Sequence, residues 1–314
     1  MSVHFIDVGQ GHATLVQSAG HNMLIDAGEA DISFTLNEYL KEQDVLKLDY
    51  LIGTHPHADH IGGLSTVLES FPTDHIILPR VQTQTLVFEK LLLTIREKGL
   101  SITPAKTGVT FSLGEAVVTV LAPVNDYGDD LNNWSATFRI ENGEDSFLIG
   151  GDAEEAAEED MVDYWGEALL SDVLLLHHHG SDTSSSDPFL KSVAPRFAVI
   201  SAGAKNPYGH PSERTLEKIR SSNITLYRTD ELGTIVAEST GHGIDFSAGP
   251  INTELSGDEI PVGVPLKISV YITDTGEKYH SGGCRFLKKS QTEVRLEKAK
   301  SDGYTPCGIC KPPE

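Results

Sequence analysis

The run Thr54-His55-Pro56-His57-Ala58-Asp59-His60-Ile61-Gly62-Gly63 places four metal-ligating side chains within six positions. The preceding stretch, Leu48–Thr54, is mostly apolar and reads as a buried strand. Side chains alternate along extended backbone, so His55 and His57 project the same way. Asp59 and His60 then fall on the turn that opens a helix, where they can face a second ion. Such a loop can divide its ligands between two neighbouring cations, the arrangement used for metal-assisted hydrolysis. A lone histidine is ordinarily a surface or core residue. Four ligands in this order at a strand end are a different matter.

The elements that must carry this loop follow from periodicity. Val3–Val8, His12–Gln17 and Asn22–Asp26 read as strands broken by glycine, and Asp31–Lys41 has helical spacing. Beyond the loop, Ile61–Ser70, Thr85–Lys98, Ala153–Tyr164 and Glu213–Ser221 look helical. His75–Leu78, Ala116–Leu121, Ser135–Ile140, Ser146–Ile149, Val173–Leu176 and Phe197–Ser201 look extended. Strand pairs mixed with β-α units imply two sheets with helices packed outside, a layered α/β arrangement.

The H-x-H-x-D-H order resembles the signature of the metallo-β-lactamase superfamily. That resemblance implies a four-layer αββα sandwich and further site residues. Asp26, in Leu24-Ile25-Asp26-Ala27-Gly28, looks like the buried acid that supports the histidine loop. Asp152, after Ile149-Gly150-Gly151, looks like the aspartate that bridges both metals, although alone it would read as a cap for the helix beginning at Ala153. Leu176-His177-His178-His179-Gly180-Ser181 supplies the late ligand, either His178 or His179. The other then donates a proton or holds a substrate phosphate, and His177 faces away.

Six short motifs narrow the resemblance to the hydrolase domain of the ComEC competence proteins, which carry DNA into bacteria. They are F-I-D-V-G-Q-G near the start, L-N-N-W-S at Leu131–Ser135, G-G-D-A-E at Gly150–Glu154, H-H-G-S at His178–Ser181, Y-G-H-P at Tyr208–Pro211 and Y-R-T-D at Tyr227–Asp230. The chain departs from that pattern at His12, where the family usually has aspartate, and it has no counterpart of the membrane channel. Many superfamily members carry another histidine between the loop and the bridging aspartate. Here that interval holds His75 alone, read as a structural strand residue, so one metal should keep room for water or phosphate oxygens. Asn133 and Ser135 either touch the site or build a turn. His210 either binds a substrate phosphate or packs on Pro211, and Ser181 reads as a turn residue near the site.

A second ligand group lies near the C-terminus. His280 and Cys284 form a His-x3-Cys pair, and after 22 intervening residues come Cys307 and Cys310 in Cys-x2-Cys spacing. One imidazole and three thiolates fill the tetrahedral set of a structural zinc. Residues 266–314 hold few large apolar side chains and need such a staple. The segment resembles a small zinc module found on bacterial nucleases, distantly similar to the metal-binding domain of the Ada repair protein. Lys278–Lys300 holds seven basic residues against two acidic ones, a stretch able to touch nucleic acid.

Composition bounds the remaining choices. The net charge of −22 falls entirely on residues 1–249, because residues 250–314 carry nine acidic and nine basic side chains. An acidic body repels polyanions at long range, which argues against a nucleic-acid-coating role. All three cysteines lie in the last 31 residues, which excludes a disulfide scaffold. No basic leader or long apolar run is present, so the expected location is cytoplasmic. The expected organisation is a hydrolase domain at 1–248, a linker rich in Gly, Pro and Ser at 249–265, and a zinc module at 266–314. The expected activity is hydrolysis by a hydroxide activated between two divalent ions, zinc or manganese. Its metal ligands are His55, His57, Asp59, His60, Asp152 and His178 or His179, with Asp59, His178 and His210 at the chemistry and Asp26, Asn133 and Ser181 in support. A phosphodiester, with DNA the leading polymer, is the expected substrate. The alternatives are a phosphorylcholine-esterase-like enzyme on a non-nucleic substrate and a binding protein with a vestigial site.

Overall fold

The computed structural model describes residues 1–251, 269–273, 276–280, 284–287, 290, 292–308 and 310. The chain divides into two compact units, Met1–Glu254 and Leu255–Glu314. From residue 252 onward, the expected linker lies outside the described residues.

Alternation along the strands builds the first unit. Met23 and Ile25 point into one apolar layer, while Leu24 between them points into another. Phe147 and Ile149 share the first layer, and Leu148 joins a third. Strands buried on both faces must lie inside a stack, and the stack has four layers. The central apolar layer joins Phe5, Val16, Met23 and Ile52 of one sheet to Val118, Phe138 and Phe147 of the other. The two outer layers are closed by helices. Leu36, Leu40, Leu64, Val67, Leu91 and Ile95 cover the first sheet; Ala157, Met161, Phe189, Val193 and Ile219 cover the second. This is the αββα sandwich that the resemblance implies.

One sheet runs in the order Ile244–Phe246, Ile235–Ser239, Ser2–Phe5, Thr14–Ser18, His21–Ile25, Leu48–Ile52, Thr73–Leu78, Ile102–Pro104. The other runs Thr225–Arg228, Phe197–Ile200, Val173–Leu175, Asp145–Gly150, Thr137–Asn142, Ala116–Ala122, Thr110–Leu113. Pairing is parallel from His21–Ile25 to Ile102–Pro104 in the first sheet and from Asp145–Gly150 to Thr225–Arg228 in the second. Parallel strands gather their carboxyl ends, and ligand-binding loops collect there. Among the described residues, no helix is long and apolar enough to cross a membrane.

Several elements differ from the periodicity reading. The expected helix Ile61–Ser70 is two helices, Ala58–Ile61 and Leu64–Ser70, so Asp59 and His60 sit within a helical turn rather than before it. A side chain at Gly63, between the two, would run into the Ala27 carbonyl. The helix expected from Ala153 runs Glu155–Trp165, and its first turn is capped from a distance: Asn133 Oδ1 accepts from the Glu154 and Ala157 amides. Asp152 is therefore left to the site.

In the second unit, Ser269–Ile272 pairs antiparallel with Thr292–Arg295, and Lys278–Tyr279 pairs parallel with Thr305–Pro306. The expected strand Lys267–Ile272 thus begins at Ser269 among the described residues. Among the described residues of this unit, Val270, Tyr279, Leu296 and Ala299 form a small apolar cluster, with Ile272, Val294 and Tyr304 packed against it.

Candidate metal centre

The loop after Leu48–Ile52, the turn after Asp145–Gly150 and the segment after Val173–Leu175 converge. Ligand atoms of Asp59, His60, Asp152 and His179 all lie within 4.8 Å of one another, as do those of His55, His57 and Asp152. The two sets share Asp152. One set has four protein donors and the other three.

Buried partners aim these donors. Asp26, wholly buried, adopts a left-handed backbone at the end of its strand. Its carboxylate accepts from Thr54 N, Thr54 Oγ1, His12 Nδ1 and His60 Nδ1, at 2.7 to 2.8 Å. His60 must therefore present Nε2 to the site, a tautomer fixed by a carboxylate behind the ring. The Ser201 carbonyl does the same for His179, accepting from Nδ1 at 2.9 Å and leaving Nε2 at 3.1 Å from Asp59 Oδ2. Ser135 Oγ accepts from the Asp152 amide and holds the turn that carries the shared carboxylate.

His178 and His179 both adopt left-handed backbone, with φ of 52° and 55°. This uncommon pair of conformations sends the rings in different directions. His179 enters the four-donor set. His178 is half-buried at the rim, with Nε2 3.7 Å from Asp152 Oδ2 and Nδ1 3.3 Å from the Glu154 carboxylate and 3.2 Å from Thr183 Oγ1. His177 turns away into the body, where Nδ1 donates to the buried Glu158, whose carboxylate also accepts from the Ser185 and Ser186 amides.

The remaining expected residues stand outside the two donor sets. His210 lies beside them, its ring centroid 5.5 Å from that of His178 and 6.4 Å from that of His179. Asn133 is the remote helix cap, also bonded to Asp130. Ser181 forms a turn with His178 and bonds Thr183. His75 is exposed and stacks on Tyr50. Glu154, Glu158 and the Ser201 carbonyl were not singled out by sequence reasoning, and no local spacing relates them to the histidines they hold.

The electrostatics favour a cation at this place. Burial opposes a charge on His60, yet Asp152, Asp26 and Asp59 outweigh it and raise its imidazole well above the ordinary range. Burial likewise opposes ionisation of Asp152, but His60 and His179 hold its carboxyl well below the usual value. Burial, aided by the neighbouring His60 charge, pushes His55 down to about 3, which leaves it a neutral donor. His60 Nε2 is buried without a hydrogen-bond partner, although Asp152 Oδ1 stands 3.1 Å away. A ring nitrogen ringed by carboxylates and outside hydrogen-bonding geometry fits a divalent cation, as does the mixed imidazole and carboxylate donor set.

The family model of the metallo-beta-lactamase superfamily matches residues 6–204, well over half of the chain. The chain belongs to that superfamily. ComE operon protein 3 of Bacillus subtilis is 31% identical over 252 residues, covering 74% of this chain and 32% of that protein. Competence protein ComA of Neisseria gonorrhoeae is 33% identical over 230 residues, covering 73% of this chain and 31% of that one. The chain thus spans about a third of the length of these curated relatives. A solved structure of a mutant CmlA beta-hydroxylase, from Streptomyces venezuelae, shares the fold with a TM-score of 0.50 at 16% identity, covering 72% of this chain and 52% of that one. Superfamily membership and the His/Asp centre support a metal-dependent hydrolase.

The second unit carries its own cluster. Donor atoms of His280, Cys284, Cys307 and Cys310 lie within 4.8 Å of one another, and Cys310 Sγ is 3.8 Å from His280 Nδ1. Three sulfurs and one imidazole fit a closed tetrahedral site.

Proposed function

We propose that the chain is a two-metal phosphodiesterase that cleaves DNA. The observation that carries the reading is the uneven pair of donor sets: four protein donors in one, three in the other, with the imidazoles of His178 and His210 beside them. The poorer set leaves room for phosphate oxygens. The similarity to proteins named for competence points to DNA as the polymer.

His55, His57 and Asp152 would hold one ion, and Asp59, His60, Asp152 and His179 the other. Zinc and manganese both suit these donors. Bound there, the ions supply the charge that makes a water nucleophilic near neutral pH and offsets the charge of the transition state. The chain's own contribution is geometric and protonic. Asp26 and the Ser201 carbonyl lock the tautomers of His60 and His179. Glu154 and Thr183 hold His178 by Nδ1, and its Nε2, 3.7 Å from Asp152 Oδ2, would give a proton to the leaving oxygen. His210 would hydrogen-bond a phosphate oxygen. No serine or cysteine nucleophile is required.

In the second unit, His280, Cys284, Cys307 and Cys310 would hold one structural zinc. The basic stretch from Lys278 would help to hold DNA against the charge of the acidic body. The test uses purified protein loaded with manganese or zinc, assayed on single- and double-stranded DNA and on a bis-phosphodiester reporter. Metal-dependent cleavage of DNA is the expected result. Turnover of the reporter without any cleavage of DNA would refute the nuclease reading.

A further inference from the structure

The segment between Gly203 and Pro211 is built to display one aromatic ring. Asn206 Oδ1 accepts from the amides of both Tyr208 and His210, and Asn206 Nδ2 donates to the Gly203 carbonyl. The loop is thus tied to itself, yet Tyr208 is 70% exposed. A single exposed ring is ordinary on a protein surface; what sets Tyr208 apart is its braced loop and the rings it lies against.

The Tyr208 ring lies over His210 with centroids 5.9 Å apart and planes inclined by 26°; His210 in turn faces His179 at 6.4 Å and 23°. Three rings, successively inclined by 26° and 23°, lead from solvent to the four-donor set. His210 Nδ1 is buried without a hydrogen-bond partner, so the middle ring is held by its neighbours' faces rather than by a polar contact of that atom. The open face of Tyr208 stands two ring spacings from a donor of the hydrolytic centre.

We infer that Tyr208 is a stacking shelf for an unpaired nucleobase, one belonging to a nucleotide beside the phosphate under attack. The inference rests on the phosphodiesterase reading and deepens it, because it names the substrate as single-stranded nucleic acid. A flat aromatic face accepts any base with little sequence preference, and base–aromatic stacking is a main source of affinity for single strands. A base inside a duplex is already stacked on both sides and has no face to offer. The acidic body makes such a contact more necessary, since phosphate attraction alone is weak there.

The test compares equilibrium binding of a labelled single-stranded oligothymidine with its abasic counterpart of the same length. Both carry the same number of phosphates, so their electrostatic contribution is matched. Metal-loaded protein should bind the base-bearing strand more tightly by on the order of tenfold. Tyr208→Ala should lose that advantage and bind both strands alike, while Tyr208→Phe and Tyr208→Trp should keep it. Equal binding of the two strands by the parent protein would overturn the shelf, as would an undiminished advantage in Tyr208→Ala. Cleavage of both strands with the same KM would leave the nuclease reading standing and remove the shelf alone. Absence of binding to any oligonucleotide would overturn both.

Discussion

Among the described residues, the His/Asp centre of the first unit and the His/Cys cluster of the second differ in nearly every property that decides what a metal does. The first mixes imidazoles with carboxylates, shares one aspartate between two sets and leaves one set a donor short. The second has one imidazole and three thiolates, a full tetrahedral complement. The first stands at the strand ends of a sandwich with three extensive apolar layers; the second accompanies, among the described residues, only small apolar clusters. Donor type and donor count separate reactive from structural metal, and core size tells which cluster its fold can survive without. An open set on a self-sufficient scaffold is built for chemistry. In the proposed reading, the closed set of the small unit holds its fold.

The largest expected effect lies in the first cluster. Asp59→Ala should lower phosphodiester turnover on the order of a thousandfold, since a lost metal site forfeits several kcal/mol of transition-state stabilisation. Asp59 is half-exposed on the short helix Ala58–Ile61, so the melting temperature should change little. His60→Ala should be equally inactive but also less stable, because the buried Asp26 loses a charged partner. Calorimetry alongside kinetics checks the contrast. Turnover close to the parent's in Asp59→Ala would remove the two-metal account.

Metal removal should split the molecule the other way. A strong chelator should abolish activity while leaving the first unit folded, and it should unfold the second. Zinc binding by such sets is worth roughly 10 kcal/mol or more, which a small apolar core cannot replace. Limited proteolysis with and without chelator would show new cleavage within Leu255–Glu314 only. Equal resistance of both units would contradict the division of roles.

Deleting Leu255–Glu314 should have a smaller effect, confined to long substrates. Hydrolysis of a small phosphodiester should persist, while the KM for DNA rises several-fold at low salt and less at high salt. Identical DNA kinetics for both proteins across a salt series would deny the second unit any part in binding. The smallest effect belongs to Asn133→Ala. Loss of its cap on the helix Glu155–Trp165 should cost about 1 kcal/mol, measured by denaturant unfolding.

The comparison also explains what the sequence could disclose. His55, His57, Asp59 and His60 are neighbours along the chain, and His280 pairs locally with Cys284 as Cys307 does with Cys310, so both clusters were legible from spacing. The layered fold was legible because buried strands alternate and amphipathic helices follow them. Selection of His179 over His178 for the donor set was not. It depends on left-handed backbone at both residues and on the Ser201 carbonyl, 22 residues away along the chain. The Glu158–His177 pair and the Asn133 cap are likewise contacts across the fold, with no periodic trace. Short strands such as Ile102–Pro104 and Thr110–Leu113 carry too few apolar residues to announce themselves. The break between Ala58–Ile61 and Leu64–Ser70 was hidden because the need for glycine there comes from the approach of Ala27, not from the helix itself.

Anomalous scattering from crystals saturated with manganese tests the central claim most directly. The account predicts two peaks in the first unit, one among Asp59, His60, Asp152 and His179 and the other among His55, His57 and Asp152. An ordered histidine loop with no peak at either position, at saturating metal, would contradict it.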